Sequence, residues 1–264
     1  MTTSEDGGSR GAADGQDGAG CQEAAQPAGA AGQAGEPMHS VDVNGVGASY
    51  GRHTILHDVS MHAMPGEQIA IIGRNGSGKS TLLQIMAGII RPDAGRIVYY
   101  GHDVTRRPRE LTRFCGYLPQ GNPLAEELTV RDNVALWSGS IRAVDPSILD
   151  VFHLRDILNK PVRSLSGGMK RRVSIACAVV RKPPVLIMDE PTAALDIYYR
   201  REIRDWMRWY CQGNGTIVVA THDDAEIRAS SRCYLLDGGT LTPWTPGDAL
   251  WRPDGAAGNE PPLS

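Results

Sequence analysis

Residues 68–81 read QIAIIGRNGSGKST, and this stretch decides the fold. Its first five residues form a mainly apolar run that ends at a glycine, which is typical of a buried strand. The residues that follow it, LLQIMAGII, carry apolar side chains at helical spacing. Between the two lies 73–80, which matches G-x-x-x-x-G-K-[ST], a loop whose backbone N–H groups approach phosphates closely. Strand, glycine loop and helix in this order predict a phosphate-binding site in an α/β domain.

The loop offers three kinds of contact to a nucleotide. Lys79 would reach the β- and γ-phosphates, and the Ser80 hydroxyl would ligate Mg²⁺. The N-terminus of the following helix adds its partial positive charge. The residues that we assign to this site are Gly73, Asn75, Gly76, Ser77, Gly78, Lys79, Ser80 and Thr81.

Strands and helices alternate through the rest of the chain. Residues 185–188 and 216–220 are apolar runs typical of buried strands, and a helical pattern at 198–211 lies between them. Because buried strands that alternate with helices form parallel sheets, the predicted fold class is α/β. We also predict strands at 41–50, 54–63, 96–100 and 113–118, a closing hairpin at 233–242, a mainly helical segment at 124–180, and a basic surface loop at 106–113.

Two carboxylates follow the strand at 185–188. Asp189 stands where the carboxyl end of a buried strand delivers it to the ligand-binding edge of the sheet, and it would hold Mg²⁺ through its water shell. Glu190 points to a different side and would accept a proton from an attacking water. A strand that ends in Asp-Glu is by itself weak evidence of a nucleotide site. Here it follows a phosphate loop, and the two motifs together are strong evidence.

Residues 165–172, LSGGMKRR, precede the apolar helix VSIACAVV. A serine and two glycines at a helix N-terminus are an ordinary cap. The same arrangement also forms an anion site, so the chain offers two sites of this kind.

These motifs and their spacing resemble the ATP-binding cassette (ABC) family over residues 40–242. LSGGM is similar to that family's signature motif, although Met169 replaces the commoner glutamine. The resemblance implies a P-loop NTPase core with a mainly parallel sheet, an N-terminal antiparallel β subdomain and a compact helical subdomain at about 121–180. It also implies a head-to-tail dimer, in which the signature motif of one subunit faces the ATP held by the other. The residues concerned are Ser166, Gly167, Gly168 and Met169.

The resemblance assigns roles to four more residues. Tyr50 matches the aromatic side chain that stacks on adenine, whereas by itself it would be an ordinary strand tyrosine. Gln120 matches the Q-loop glutamine, which contacts Mg²⁺ or the attacking water. Asp196 matches the D-loop aspartate. His222 matches the switch histidine that hydrogen-bonds the γ-phosphate, whereas a lone histidine after a strand is usually structural.

Composition limits the other classes of function. The chain has 264 residues and a net charge of −3. Residues 1–38 and 252–264 are poor in large apolar residues, and we predict that both are disordered tails around a cassette at 39–251. Eight of the acidic residues lie in the tails, which leaves the cassette near neutral and predicts no nucleic-acid partner. The five cysteines have no paired spacing, so we expect free thiols.

The sequence therefore predicts the ATP-hydrolysing subunit of a transporter. No apolar run is long enough to span a membrane, and the acidic start is unlike a secretory signal. We expect a cytoplasmic chain on the inner face of the membrane, bound to a separate permease subunit through 123–137. Expected cofactors are ATP and Mg²⁺, with a homodimer or heterodimer of cassettes.

Family-level analogy favours export. The alternative is a soluble ABC ATPase that acts in macromolecular assembly or repair. A P-loop kinase would need neither LSGGM nor a glutamate after the strand-end aspartate.

Overall fold

The computed structural model describes residues 38–245. The two predicted tails, apart from Met38, and residues 246–251 of the predicted cassette lie outside the described residues. The limits of the cassette and of its helical subdomain stay predictions.

The N-terminal strands form an antiparallel sheet, as the resemblance implies. Its strand order is β2-β1-β4-β5, where β1 is Val41–Tyr50, β2 is His53–Ala63, β4 is Ala94–Tyr99 and β5 is His102–Asp103. The buried side chains of β1 and β2 stand two residues apart, except for one interval of three in each strand, where the pairing register shifts. This period of two places one face of the sheet on the core.

A six-stranded, mainly parallel sheet forms the centre of the cassette. Its order is β10-β9-β3-β8-β7-β6, and only the β9–β10 pair is antiparallel. Since parallel strands end at the same edge, the segments after β3, β6, β7 and β8 meet there. The strands are β3 Gln68–Ile72, β6 Cys115–Leu118, β7 Val185–Asp189, β8 Thr216–Ala220, β9 Arg232–Asp237 and β10 Thr240–Trp244.

Seven α-helices complete the described part of the chain. The predicted helical segment 124–180 contains three of them, together with 3-10 turns at Ile141–Ala143, Arg155–Ile157 and Val162–Ser164. The helices are α1 Lys79–Met86, α2 Pro108–Leu111, α3 Val130–Ser138, α4 Pro146–Val151, α5 Gly167–Val179, α6 Ile197–Gln212 and α7 Asp224–Ala229.

Two short helices were not expected. One turn, α2, interrupts the predicted surface loop at 106–113. The other, α7, forms because the Asp223 side chain accepts hydrogen bonds from the backbone N–H groups of Ala225 and Glu226 at 2.9 and 3.1 Å. Both helices have six residues or fewer, which is too short for a periodic apolar pattern to reveal them.

The core lies on both faces of the parallel sheet. Val185, Ile187 and Val218 pack with α1 and the antiparallel sheet, whereas Leu186 and Val219 pack with α3–α6. A strand that alternates between two apolar layers has to be apolar throughout, and every residue of β3, β7 and β8 is buried.

Two further sequence expectations concern thiols and membrane helices. The cysteines within 38–245 are free thiols, as expected. No helix in that range is long and apolar enough to cross a membrane.

Candidate active site

The loop between β3 and α1 curls so tightly that glycine is required at two positions. Gly73 has φ +152°, and a Cβ atom there would lie 2.3 Å from the backbone oxygen of Leu236. Gly78 has φ +104°, and its Cβ would lie 3.0 Å from Ile55 Cγ2. Larger residues would therefore displace the loop from β2 and β9, which border it.

The interior of the loop is lined with hydrogen-bond donors. The Lys79 ammonium donates to the carbonyl oxygens of Gly73 and Arg74 at 2.7 and 3.0 Å. The Ser77 hydroxyl is buried and has no hydrogen-bond partner. Helix α1 begins at Lys79 with no side-chain cap, so its first N–H groups lack both a cap and an intrahelical acceptor. A triphosphate offers acceptor oxygens to all of these donors, and the loop therefore fits ATP.

The remaining loop residues occupy the tip and the first helical turn. Asn75 and Gly76 are exposed at the tip, and Ser80 and Thr81 are half-buried in the first turn of α1. The residues that the sequence predicts for the phosphate site thus lie together in the loop and the first turn of α1.

The two predicted carboxylates stand at the end of β7. Asp189 is buried and is the last residue of the strand. Glu190 has φ +49°, a conformation that non-glycine residues rarely adopt, and its backbone N–H donates to Ala220 of β8 at 2.9 Å. The Glu190 side chain lies beside His222, the second residue after β8, and its Oε1 is 3.6 Å from His222 Nε2.

Burial and charge shift the pKa values of these groups. Burial lowers the pKa of Lys79, and the carboxylates of Glu190 and Asp189 oppose that shift. Burial and then Asp189 raise the pKa of Glu190, toward the range in which a carboxylate is an effective general base. Burial and then Lys79 lower the pKa of His222, which favours the neutral imidazole at pH 7. The loop lysine, both carboxylates and the histidine therefore form one electrostatic unit.

Gln120 follows β6, the neighbour of β7 in the sheet. Its side chain is exposed, and its backbone oxygen accepts a hydrogen bond from Arg171 at 3.2 Å. The sheet order thus brings the predicted Q-loop residue to the edge that holds Asp189 and Glu190.

The signature motif forms the N-terminus of α5. The Ser166 Oγ accepts a hydrogen bond from the Met169 N–H at 3.3 Å, which confirms the capping interpretation. Ser166 and Gly167 are exposed, and a Cβ on Gly167 would have no atom within 4 Å. A Cβ on Gly168 would lie 3.5 Å from the backbone oxygen of Ala194. The motif therefore presents an open helix N-terminus beside the segment that leads to Asp196.

Asp196 caps α6. Its carboxylate accepts hydrogen bonds from the backbone N–H groups of Tyr198 and Tyr199 at 3.0 and 3.1 Å. This contact gives the predicted D-loop residue a local structural role.

Tyr50 ends β1 opposite His53, and its side chain is 55% exposed. The adjacent residues Ile55 and Leu56 of β2 lie against Gly78 of the loop. This hairpin end thus lies beside the phosphate site, where an exposed ring is free to stack.

Arg171 is a further residue of this site, and it is not among the residues that the sequence motifs predict. Its buried guanidinium donates to six carbonyl oxygens at 2.6–3.2 Å, in the segments 119–121 and 189–191. Helical spacing could have indicated that Arg171 is buried, because it stands four residues before the buried Ile175 on α5, but not that its partners are carbonyl oxygens.

Comparisons with known proteins agree with this geometry. The family model described as "ABC transporter" matches residues 56–193, which is more than half of the chain. The Nod factor export ATP-binding protein I of Paraburkholderia xenovorans is 35% identical over 219 residues, or 80% of this chain and 72% of that protein. The sulfate/thiosulfate import ATP-binding protein CysA of Yersinia pseudotuberculosis is 31% identical over 226 residues, or 81% of this chain and 62% of that protein.

A solved structure links the fold to hydrolysis. It is an ATP-binding cassette in a dimeric, post-hydrolysis state bound to ADP and Pi, with a TM-score of 0.70 and 28% identity, over 76% of this chain and 96% of that one. The chain belongs to the ABC transporter family as an ATP-binding subunit, and it is an ATPase.

Proposed function

We propose that this chain hydrolyses Mg²⁺-ATP between two cassettes and drives export through a separate integral membrane subunit. The observation that carries the proposal is the convergence of Lys79, Asp189, Glu190 and His222 at one edge of the parallel sheet. Two relatives favour export. The Nod factor export protein is 35% identical to this chain, which covers 72% of its length, whereas the sulfate/thiosulfate import protein is 31% identical and is covered over 62% of its length.

The hydrolytic step is phosphoryl transfer to water. The water oxygen forms a bond to the γ-phosphorus, the bond to the bridging oxygen breaks, and ADP leaves with that electron pair. Glu190 orients the water and accepts its proton. Lys79 exchanges its two backbone carbonyl acceptors for phosphate oxygens. His222 donates a hydrogen bond to the γ-phosphate.

The residues near the phosphates fit a magnesium ion. Ser80 offers a hydroxyl in the first turn of α1 and Asp189 a carboxylate at the end of β7, with Gln120 as a third candidate. Mg²⁺ keeps several waters and takes few protein ligands when phosphates complete its shell. When bound, it would neutralise charge that develops on the phosphate oxygens.

The exposed signature motif supports the dimer. Ser166 offers a hydroxyl, and Gly167 and Gly168 offer N–H groups of a helix N-terminus, which suit an anion, whereas the N–H of Met169 donates to the Ser166 Oγ. They would meet the γ-phosphate held by the partner cassette, and Tyr50 would stack on the adenine of its own nucleotide.

Glu190→Gln tests the site. The amide keeps the size of the side chain but cannot accept the proton, so we expect ATP affinity within about threefold of wild type and kcat at least about 100-fold lower. ATP-bound dimer should accumulate in size-exclusion chromatography with light scattering. A variant that turns over ATP at the wild-type rate would exclude Glu190 as the base.

The membrane partner needs its own test, because the alternative is an ABC ATPase that acts without a channel. The full-length chain, tagged and extracted from its native membranes in detergent, should retain a chain with several spans of about 20 apolar residues. Inside-out vesicles that contain the pair should show substrate-stimulated ATPase activity. Purification in which no spanning subunit is bound, with full ATPase activity, would favour the alternative.

A further inference from the structure

Arg171 is a buried cation whose hydrogen-bond partners are all backbone carbonyls. It is 2% exposed, and no salt bridge within residues 38–245 includes it. Burial lowers its pKa to about 10, against the opposing charges of Asp189 and Glu190, so the group stays protonated at neutral pH. A buried charge is costly unless its donors are satisfied, and here all three guanidinium nitrogens donate hydrogen bonds.

The acceptors belong to two segments that are distant in sequence and that stand at the ends of the paired strands β6 and β7. Nη1 donates to Pro119, Gln120 and Gly121 at 2.7, 3.2 and 3.1 Å. Nη2 donates to Asp189 and Glu190 at 2.6 Å each, and Nε donates to Pro191 at 3.1 Å. One side chain thus fixes the start of the Q-loop against the end of β7.

The second segment needs such a contact. Glu190 occupies the left-handed region at φ +49°, which is unfavourable for a non-glycine residue unless its neighbours hold it there. Its N–H is held by Ala220, and its carbonyl oxygen is held by Arg171 and by the N–H of Ala193 at 3.1 Å. Arg171 therefore contributes directly to the backbone turn that directs the Glu190 carboxylate.

The neighbouring basic residues do not share this role. Lys170 forms an ion pair with Glu126 at 2.6 Å on the surface. Arg172 lies 4.1 Å from the ring centroid of Tyr199, and its Nε has no hydrogen-bond partner. Since Arg172 is also buried and cationic, it provides a matched control one residue away.

We infer that Arg171 is a positioning residue of the ATPase site, whose guanidinium holds Gln120 and Glu190 at a fixed spacing and ties both to the helix of the signature motif. This inference rests on the proposed roles of Gln120 and Glu190. Arg171 lies four residues after Gly167 on α5, a distance of about 6 Å along a rigid helix. A shift of the signature motif on the partner's ATP therefore reaches both segments through one side chain.

The test compares R171M, R171K and the control R172M in the full-length chain, after circular dichroism has established that each is folded. Methionine removes every donor, whereas lysine keeps the charge and three donors but loses the fork. We expect kcat about 100-fold lower in R171M and about tenfold lower in R171K, because small displacements of catalytic groups have effects of this size. KM for ATP should stay within about threefold, since Arg171 does not contact the phosphate loop. R172M should keep kcat within about twofold.

Hydrogen–deuterium exchange separates positioning from a general loss of stability. In R171M, the backbone amides of 113–124 and 186–196 should exchange faster than in wild type. In R172M, the same amides should exchange at the wild-type rate. Wild-type kcat in R171M, or an equal loss of kcat in R172M, would overturn the inference. If R171M does not fold, the kcat of R171K alone tests the inference, and a wild-type kcat in R171K would overturn it. Glu190→Gln, assayed in parallel, reports on the base itself, so its failure to reduce turnover would refute the proposed function separately.

Discussion

Gly116 of β6 is where one added methyl group should disturb both stability and turnover. A Cβ there would lie 2.4 Å from the backbone oxygen of Ala178, 2.8 Å from Pro183 Cγ and 2.9 Å from Leu186 Cδ2. The first two neighbours are a helix backbone and a proline ring, which cannot rotate away. An ordinary contact begins at 3.4 Å, so β6 and α5 would have to separate by about 1 Å.

This separation gives the expected magnitudes for Gly116→Ala. Overpacking of this kind costs about 1–3 kcal/mol, which lowers Tm by about 2–12 °C for a domain of this size. β6 leads to Gln120, whose carbonyl oxygen binds Arg171 of α5, so kcat should fall about 10- to 100-fold. ATP affinity should change little, because the phosphate loop lies between β3 and α1.

Calorimetry and steady-state ATPase assays check the prediction, with Gly47→Ala as the control. Gly47 is also a strand glycine, but its Cβ would make ordinary contacts of 3.6 Å with Ala94 Cβ and 3.7 Å with the Leu56 oxygen. That variant should be unchanged or more stable by about 0.4–1 kcal/mol, since alanine restricts the unfolded chain. Equal Tm and kcat in Gly116→Ala and wild type would refute the close-contact reasoning.

Three further predictions concern other parts of the cassette. Lys79→Ala removes the ammonium group from the loop and should abolish ATP binding in equilibrium titration; wild-type affinity would contradict the phosphate-loop assignment. Burial raises the pKa of Glu226 above its ordinary value of 4.5, so its contribution to stability is fully present below that value and is lost as the pH rises through the raised pKa. In urea unfolding, Glu226→Gln should therefore lose less stability than wild type as the pH rises above 4.5, and parallel curves would count against this. Leu136 and Trp137 are 66% and 48% exposed on α3, and Leu136→Ser with Trp137→Ser should weaken binding to the permease while basal ATPase activity stays at the wild-type level. Unchanged co-purification would exclude this surface.

Much of the fold follows from local pattern. Residues 68–81 predict β3, the loop and α1 because a buried strand, a glycine loop and an amphipathic helix each leave their own period in the sequence. The apolar runs at 185–188 and 216–220 predict β7 and β8 for the same reason. The predicted helical segment 124–180 is also confirmed as helical, although its division into three helices and three 3-10 turns is not visible in the pattern.

The sequence by itself determined the family and its ATPase chemistry, and it predicts the residues of the site, because loop, carboxylate and signature residues are types that only a few functions require at this spacing. Tertiary structure alone decided how these pieces meet. The sheet order makes β6 and β8 neighbours of β7, which brings Gln120 and His222 to Glu190, and no local pattern encodes that order. The contacts of Arg171 are also decided by the tertiary structure, since six carbonyl oxygens from two distant segments become its partners only after α5 packs on the sheet. Hydrogen bonds to backbone carbonyls place no demand on residue type, so they leave no trace in the sequence.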